Sequence, residues 1–261
     1  MIVSSTRIWQ RRRLQEERRC VRGQPAPTEA MILVGGKGTR LQSVVSDRPK
    51  PMAEVGGRPF LAWLLSSLRE QGVRRIVLCT GHLADVVEDY FGKGQSWGVN
   101  LEYSRDPFPL GTGGAVRHAL SRIRGRRFLV LNGDSFCRFD LPLLVRTHRE
   151  REARATLWLT EAEDCARYGS VVLGPEGQIL AFTEKTQACG SGLVNAGVYL
   201  LERTVAEDIP TDRPVSLETA VFPDLIGDGL YGVSGEGTHL DIGTPESYAT
   251  AEEFLTEEVT A

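Results

Sequence analysis

A short apolar run, Met31 to Val34, empties into Gly35-Gly36-Lys37-Gly38-Thr39-Arg40, and amphipathic sequence follows. That order reads as a buried strand, a glycine-rich turn and a helix start. Glycines let the backbone come close to a ligand, and N–H groups at a helix N-terminus hold anions well. Arg40 adds a fork of donors suited to phosphate oxygens, and Lys50, held between Pro49 and Pro51, adds a second cation. The stretch reads as a grip for a polyphosphate.

Two common phosphate loops do not fit it. No glycine-lysine pair continues into Ser or Thr as a GxxxxGK loop requires. The dinucleotide pattern GxGxxG breaks at Leu41, which stands where its third glycine belongs. A purely structural turn accounts for the glycines, but not for Arg40 or for a lysine fixed between prolines.

Composition excludes several classes. The 31 basic and 34 acidic residues among 261 nearly cancel, so no nucleic-acid partner is expected. Cys20, Cys79, Cys137, Cys165 and Cys189 form no CxxC pair, which argues against thiolate metal sites and disulfides and fits a reducing cytoplasm. No apolar run approaches the roughly 18 residues of a membrane span. Residues 1–28 stand apart. Arg7, Arg11, Arg12, Arg13, Arg18, Arg19 and Arg22 crowd a segment without the apolar core of a secretory signal, and it reads as a disordered basic extension.

After the loop, strands and helices alternate. Phe60, Leu61, Leu64, Leu65 and Leu68 share one face of a helix from Arg58 to Gln71, which Gly72 closes. Strands are expected at Arg75 to Cys79, Leu101 to Tyr103 and Phe128 to Leu131, with helices at Leu83 to Phe91 and Thr112 to Ile123. The alternation implies a mainly parallel sheet covered on both faces, a Rossmann-like α/β fold. From Ala155 onward ATLWLT, GSVVL, QILAFTEK and LVNAGVYLL read as strands of a mixed extension. A helix is expected from Ser216 to about Leu225, and a last one from Pro245 to about Leu255 with Thr244 as its cap. The expected division is a nucleotide-binding part, 29–153, and a sugar-binding part, 154–261, within one domain.

In such sheets ligands bind outside the carboxyl ends of the strands. Gly35 to Arg40, Asp106 to Gly114, and Asn132-Gly133-Asp134 all arrive there. Asp134 alone could be an ordinary turn aspartate. Beyond an apolar strand and facing a phosphate loop, it is placed to hold a hard cation. Asp241, at the end of the apolar LDIG run, has no structural reason to be acidic.

GGKGTR followed by PKPM, then LGTGGA, NGD, Tyr168-Gly169, Glu184-Lys185, NAG and DIGTPE, resembles the signature of the sugar-1-phosphate nucleotidylyltransferases, or NDP-sugar pyrophosphorylases. The resemblance runs from Glu29 to about Phe254. It implies the nucleotide-diphospho-sugar transferase fold without a C-terminal β-helix domain. It assigns Leu33, Val34, Gly35, Gly36, Gly38, Thr39, Gly111, Thr112, Gly113, Asn132 and Gly133 to the nucleotide. Gly169, Glu184 and Asn195 fall to the sugar, and Asp134 and Asp241 to Mg2+. It implies Arg40 at the leaving pyrophosphate, Lys50 at the α-phosphate and Lys185 at the attacking sugar phosphate. Thr186 stands where the family often has proline, and His239 where an aromatic or aliphatic residue is commoner.

SVVSD before PKPM, GRPFL after it, EYSRDPFPLGTGGA, and the closing SLE and DIGTPE segments look most like the D-glycero-α-D-manno-heptose 1-phosphate guanylyltransferases. That resemblance implies GTP and heptose 1-phosphate as substrates. Mannose, glucose or muramate 1-phosphates, another base, and a homo-oligomeric assembly stay open. A non-catalytic NDP-sugar sensor is the rival from another class, opposed by the intact set of charged residues. An oxidoreductase is opposed by the broken GxGxxG, and a glycosyltransferase by the GGKGTR and PKPM pair.

Overall fold

The computed structural model describes residues 27–36, 48–163, 165, 170–183, 190–235 and 239–260. Four parallel strands form its centre: β1 (Glu29–Leu33), β2 (Arg75–Thr80), β3 (Asn100–Arg105) and β4 (Arg127–Asn132), in spatial order β4-β1-β2-β3. They are joined in turn through α1 (Phe60–Glu70), α2 (Ala84–Phe91) and α3 (Gly111–Ala119).

Ala30, Met31 and Ile32 have no exposed surface, as a strand covered on both faces requires. Alternation sorts them. Ala30 and Ile32 pack with Leu61, Leu65 and Leu68 of α1, whereas Met31 packs with Val116 and Ala119 of α3 on the other face. Each fully buried leucine or isoleucine contributes about 1.5–3 kcal/mol relative to an exposed one. The expected α1 face is present, and Ala62 and Trp63 are buried as well, so the helix is enclosed over its first turns.

The chain continues as β5 (Ser135–Cys137), α4 (Leu141–Glu150), β6 (Ala155–Ala162), β7 (Ser170–Leu173), β8 (Ile179–Thr183) and β9 (Gly192–Glu202). After the short α5 (Arg203–Glu207) come β10 (Leu230–Ser234), β11 (His239–Asp241), α6 (Pro245–Ala249) and α7 (Ala251–Thr260). Long strand β9 runs antiparallel to β4, placing Tyr199 opposite Val130, and also pairs with β6 and β7. The second half of the chain is thereby built onto the same sheet.

Four local differences from the sequence reading have physical causes. Helix α4 is additional; Asp140 caps it by accepting the Leu143 N–H at 2.9 Å. The helix expected from Thr112 begins at Gly111 and tightens into a 3-10 turn over Leu120–Arg122. Ser216 caps as expected, but the turn it starts is a π-turn, Leu217–Val221, passing into Phe222–Asp224. Pro223 has no N–H to continue a regular ladder there. The closing helix is two, broken at Thr250, whose hydroxyl donates to the Ser247 carbonyl at 3.1 Å.

Candidate active site

The carboxyl ends of the four parallel strands surround a cavity of about 670 Å³, within the size range of small-molecule sites. Leu33, Val34, Gly35 and Gly36 line it after β1, Gly81 and His82 after β2, Asp106 and Phe108 to Thr112 after β3, and Asn132 and Asp134 after β4. Lys50, Pro51 and Gly243 complete its polar end.

Two of the expected nucleotide glycines lie behind this lining. A Cβ on Gly133 would stand 2.5 Å from the Leu33 carbonyl oxygen, to which Gly133 N–H donates at 3.0 Å. Gly133 therefore lets the turns after β1 and β4 touch. Gly113 N–H donates to the Val215 carbonyl at 2.9 Å, as does Gly114 N–H at 3.1 Å. Gly111, at φ +76°, bends the chain against Val215, where a Cβ would meet its carbonyl oxygen at 2.4 Å. Gly111 and Thr112 do line the cavity.

Lys50 opens a 3-10 turn, Lys50–Met52, after Pro49 in extended geometry. Its Nζ donates to Asp134 Oδ2 at 2.7 Å and to Asp241 Oδ1 at 3.4 Å. The antiparallel β5–β11 pair makes this convergence: Asp241 stands opposite Ser135, and Ile242 N–H donates to the Asp134 carbonyl at 3.1 Å. A Cβ on Gly243 would fall within 2.9 Å of both Asp241 carboxylate oxygens, so glycine lets the chain curl around that side chain.

Because both carboxylates reach one ammonium nitrogen, their oxygens converge on a point the size of a cation. Hard oxygen donors so placed fit a small divalent ion that takes one or two carboxylates and completes its shell with phosphate oxygens and water. Among the described residues no group of three or more His, Cys, Asp or Glu side chains forms a fuller cage. Burial holds the His239 imidazole below its ordinary pKa despite the two carboxylates nearby.

Asp106 was not singled out in the sequence beyond its loop. Its Oδ2 lies 3.4 Å from where a Cβ on Gly35 would stand, while Oδ1 is buried without a partner among the described residues. Burial pushes this carboxyl up to about 6, partly offset by His118.

A polar chain crosses from the nucleotide loop to β9. Thr112 Oγ1 donates to Glu218 Oε2 at 2.7 Å, and the Tyr199 hydroxyl donates to Glu218 Oε1 at 3.2 Å. The same Tyr199 oxygen accepts from Asn195 Nδ2 at 2.8 Å and from Asn132 Nδ2 at 3.4 Å. A bulge in β9 between Asn195 and Val198, with Gly197 at φ +74°, sets this stretch against Asn132. Burial raises the phenol of Tyr199 well above its ordinary value, with Glu218 adding to the effect. Sequence reasoning missed Tyr199 as a site residue and took Glu218 for part of a helix start within the SLE segment, with no role at the site.

The structure thus brings Leu33, Val34, Gly35, Gly36, Lys50, Gly111, Thr112, Asn132 and Asp134 onto one cavity. Asp241 reaches its rim through Lys50, and Asn195 lies one hydroxyl away from Asn132. Gly38, Thr39, Arg40, Gly169, Glu184 and Lys185 lie outside the described residues, as does nearly all of the basic extension.

Comparison with known proteins agrees with this fold. Residues 29–258 match the family model described as "Nucleotidyl transferase". A mannose-1-phosphate guanylyltransferase of Mycobacterium tuberculosis is 39% identical over 223 residues, 84% of this chain and 62% of that protein. The chain thus spans less than two thirds of that relative's length. A D-glycero-alpha-D-manno-heptose 1-phosphate guanylyltransferase of Aneurinibacillus thermoaerophilus is 34% identical over 87% of this chain and 98% of its own. The crystal structure of HddC from Yersinia pseudotuberculosis superposes with a TM-score of 0.78 at 34% identity, covering 87% of this chain and 98% of that one, and HddC has also been solved with GMP-PN. With its Rossmann-like sheet, its cavity at the strand ends and a match over nearly all the chain beyond the basic extension, the protein belongs to the nucleotidyl transferase family.

Proposed function

We propose that this protein joins a nucleoside triphosphate to a sugar 1-phosphate, releasing pyrophosphate and an NDP-sugar, with GTP and D-glycero-α-D-manno-heptose 1-phosphate as the substrates. The observation that carries the reading is Lys50, set between Asp134 and Asp241 at the polar end of the Gly35–Gly36 cavity. A cation and two hard-ion carboxylates at one end of a nucleotide-sized cavity suit a polyphosphate better than any neutral ligand.

A sugar 1-phosphate is largely dianionic at neutral pH, since the second pKa of a phosphate monoester lies near ~6. Its oxygen attacks the α-phosphorus, the bond to the bridging oxygen of the β-phosphate breaks, and pyrophosphate leaves with that electron pair. No general base is needed. The obstacle is repulsion between anions, so the protein's work is positioning and charge stabilisation. Lys50 supplies charge at the α-phosphate, Arg40 at the leaving pyrophosphate and Lys185 at the sugar phosphate. Asp134 and Asp241 would hold Mg2+, which when bound supplies further positive charge to the phosphate oxygens. A cytoplasmic setting agrees with the buried free thiol of Cys79.

The guanine reading is supported by Asp106. Guanine presents two adjacent N–H donors, at N1 and N2, to a carboxylate; adenine has an acceptor at N1 and only a C2–H beside it. The rival reading, mannose 1-phosphate in place of heptose 1-phosphate, rests on the 39% identity to the Mycobacterium enzyme. The test is pyrophosphate release with Mg2+ across GTP, ATP, UTP, CTP and dTTP against heptose, mannose, glucose and N-acetylglucosamine 1-phosphates. Release with GTP and heptose 1-phosphate alone is the expected result. Another productive pair would overturn the specificity, and silence across the matrix would overturn the reaction.

A further inference from the structure

We propose that Glu218 is a positioning residue that, through Tyr199 and Thr112, holds the nucleotide loop and the amides of Asn195 and Asn132 in one fixed arrangement. The inference rests on the reading above for what Thr112 and Asn195 bind.

The argument is one of donors and acceptors. Glu218 accepts hydrogens from Thr112 Oγ1 at 2.7 Å, Ser216 Oγ at 2.9 Å and Tyr199 OH at 3.2 Å. A hydroxyl has one hydrogen. With that of Tyr199 committed to Glu218, its oxygen is left to accept, and both Asn195 Nδ2 and Asn132 Nδ2 donate to it. Asn195 Oδ1 is taken by Gly197 N–H at 3.0 Å. Asn195 therefore keeps one N–H hydrogen uncommitted, and Asn132, which lines the cavity, keeps its Oδ1. On the other side, Thr112 Oγ1 accepts from Leu217 N–H at 2.8 Å and can give its hydrogen only away from that bond, toward the carboxylate. The direction of every link is set by an acceptor-only group at the node.

The node is also anchored. Val215 N–H donates to the Leu110 carbonyl at 2.8 Å, and the Val215 carbonyl receives Gly113 and Gly114 N–H, so segment 215–218 is riveted to the nucleotide loop. Tyr199 has no exposed surface, hence no water can replace a lost partner. A glutamine at 218 cannot serve all three hydroxyls. If its amide nitrogen faces Thr112 and Ser216, their hydrogens lose their acceptor; if it faces Tyr199, that hydroxyl must turn its hydrogen toward the two asparagine amides.

The variants Tyr199→Phe, Glu218→Gln and their combination separate positioning from folding when measured on the full chain beside thermal melts. Tyr199→Phe is expected to raise KM for the sugar 1-phosphate about tenfold, the scale of one lost hydrogen bond, and KM for the triphosphate by no more than about threefold, because the bond to the nucleotide-side Asn132 is the longer, 3.4 Å against 2.8 Å to Asn195. Glu218→Gln raises both about tenfold, and the double variant is no worse than Glu218→Gln for the sugar. Calorimetric binding of GTP and of GDP-mannose reads the same split without turnover. Should Tyr199→Phe not fold, Thr112→Val decides: it weakens GTP binding about tenfold, and Thr112→Ser restores it. Unchanged KM values in stable variants, or additive effects in the double variant, would overturn the positioning role while leaving the reaction standing. A wild-type protein that binds neither probe would overturn the functional reading, and this inference with it.

Discussion

Lys50 Nζ sits 2.7 Å from Asp134 Oδ2, on the point where Asp134 and Asp241 converge. The lysine assigned to the α-phosphate and the carboxylates assigned to the metal thus share one locus. Lys50 and a divalent cation compete for the same oxygens, and a nucleotide phosphate gives the lysine somewhere else to go. Lys50→Met should therefore bind Mn2+ alone more tightly than wild type, several-fold by paramagnetic titration. It should also lose about 10²-fold or more in turnover, as removal of other preorganised charge stabilisers does. Weaker Mn2+ binding in the variant would show that the lysine supports the site rather than competing for it.

The carboxylates are the converse case. Asp134→Ala with Asp241→Ala leaves Lys50 without its two carboxylate acceptors and a metal without its proposed protein ligands. Turnover should fall by at least about 10²-fold. In the wild type, chelation should abolish pyrophosphate release and added Mg2+ restore it. Activity near wild type in the double variant would sink the metal assignment.

Gly36 and Gly133 resemble each other in sequence, since both belong to motifs read as nucleotide-binding, yet they play different parts. A Cβ on Gly36 meets no atom of the described residues within 4 Å, whereas one on Gly133 would lie 2.5 Å from the Leu33 carbonyl and 2.7 Å from Val34 Cγ1. Gly36→Ala should keep the melting temperature within a few degrees and weaken GTP binding, because the methyl enters the cavity it lines. Gly133→Ala should destabilise the fold by about 1–3 kcal/mol, the usual range for overpacking. Equal melting temperatures for the two variants would contradict the close packing of β1 against β4.

Much of this arrangement was legible in the sequence. Apolar runs such as Met31–Val34 and Phe128–Leu131, each bounded by a glycine-bearing turn, mark the buried parallel strands, and the glycines after them mark the ligand side. Helix α4 was not legible, although Asp140 and Pro142 are good start signals. Arg146, Arg149 and Arg151 dilute its apolar stripe of Leu141, Leu144 and Val145, and His148 is buried against expectation, bonded to Thr156 at 2.8 Å. The pairing of β5 with β11 was out of reach for another reason. Three-residue strands carry no period, and contact between Ser135 and Asp241 depends on how distant segments meet. Tyr199 and Glu218 stayed hidden because each satisfies a local rule, one as a strand aromatic and the other beside a helix cap.

Asp106 links the choice of base to stability. Its carboxyl is pushed up to about 6 by burial, above the ordinary value of 3.8. The folded state therefore binds its proton more tightly than the unfolded chain does. Stability is undiminished below about pH 4, falls as pH rises through 4 to 6, and levels off above that. Because the group is only partly buried, the loss is on the order of 1 kcal/mol after allowing for solvent screening. Asp106→Asn removes the ionisation, so it should melt higher than wild type at pH 8 and level with it near pH 4. GTP should erase the difference at pH 8, since guanine N–H donors would pair with the carboxylate in wild type. The same variant should lose preference for GTP over ATP by about tenfold or more, the scale of one bidentate base contact. A variant that gains stability at pH 8 yet keeps its full preference for GTP would separate the burial of Asp106 from base recognition.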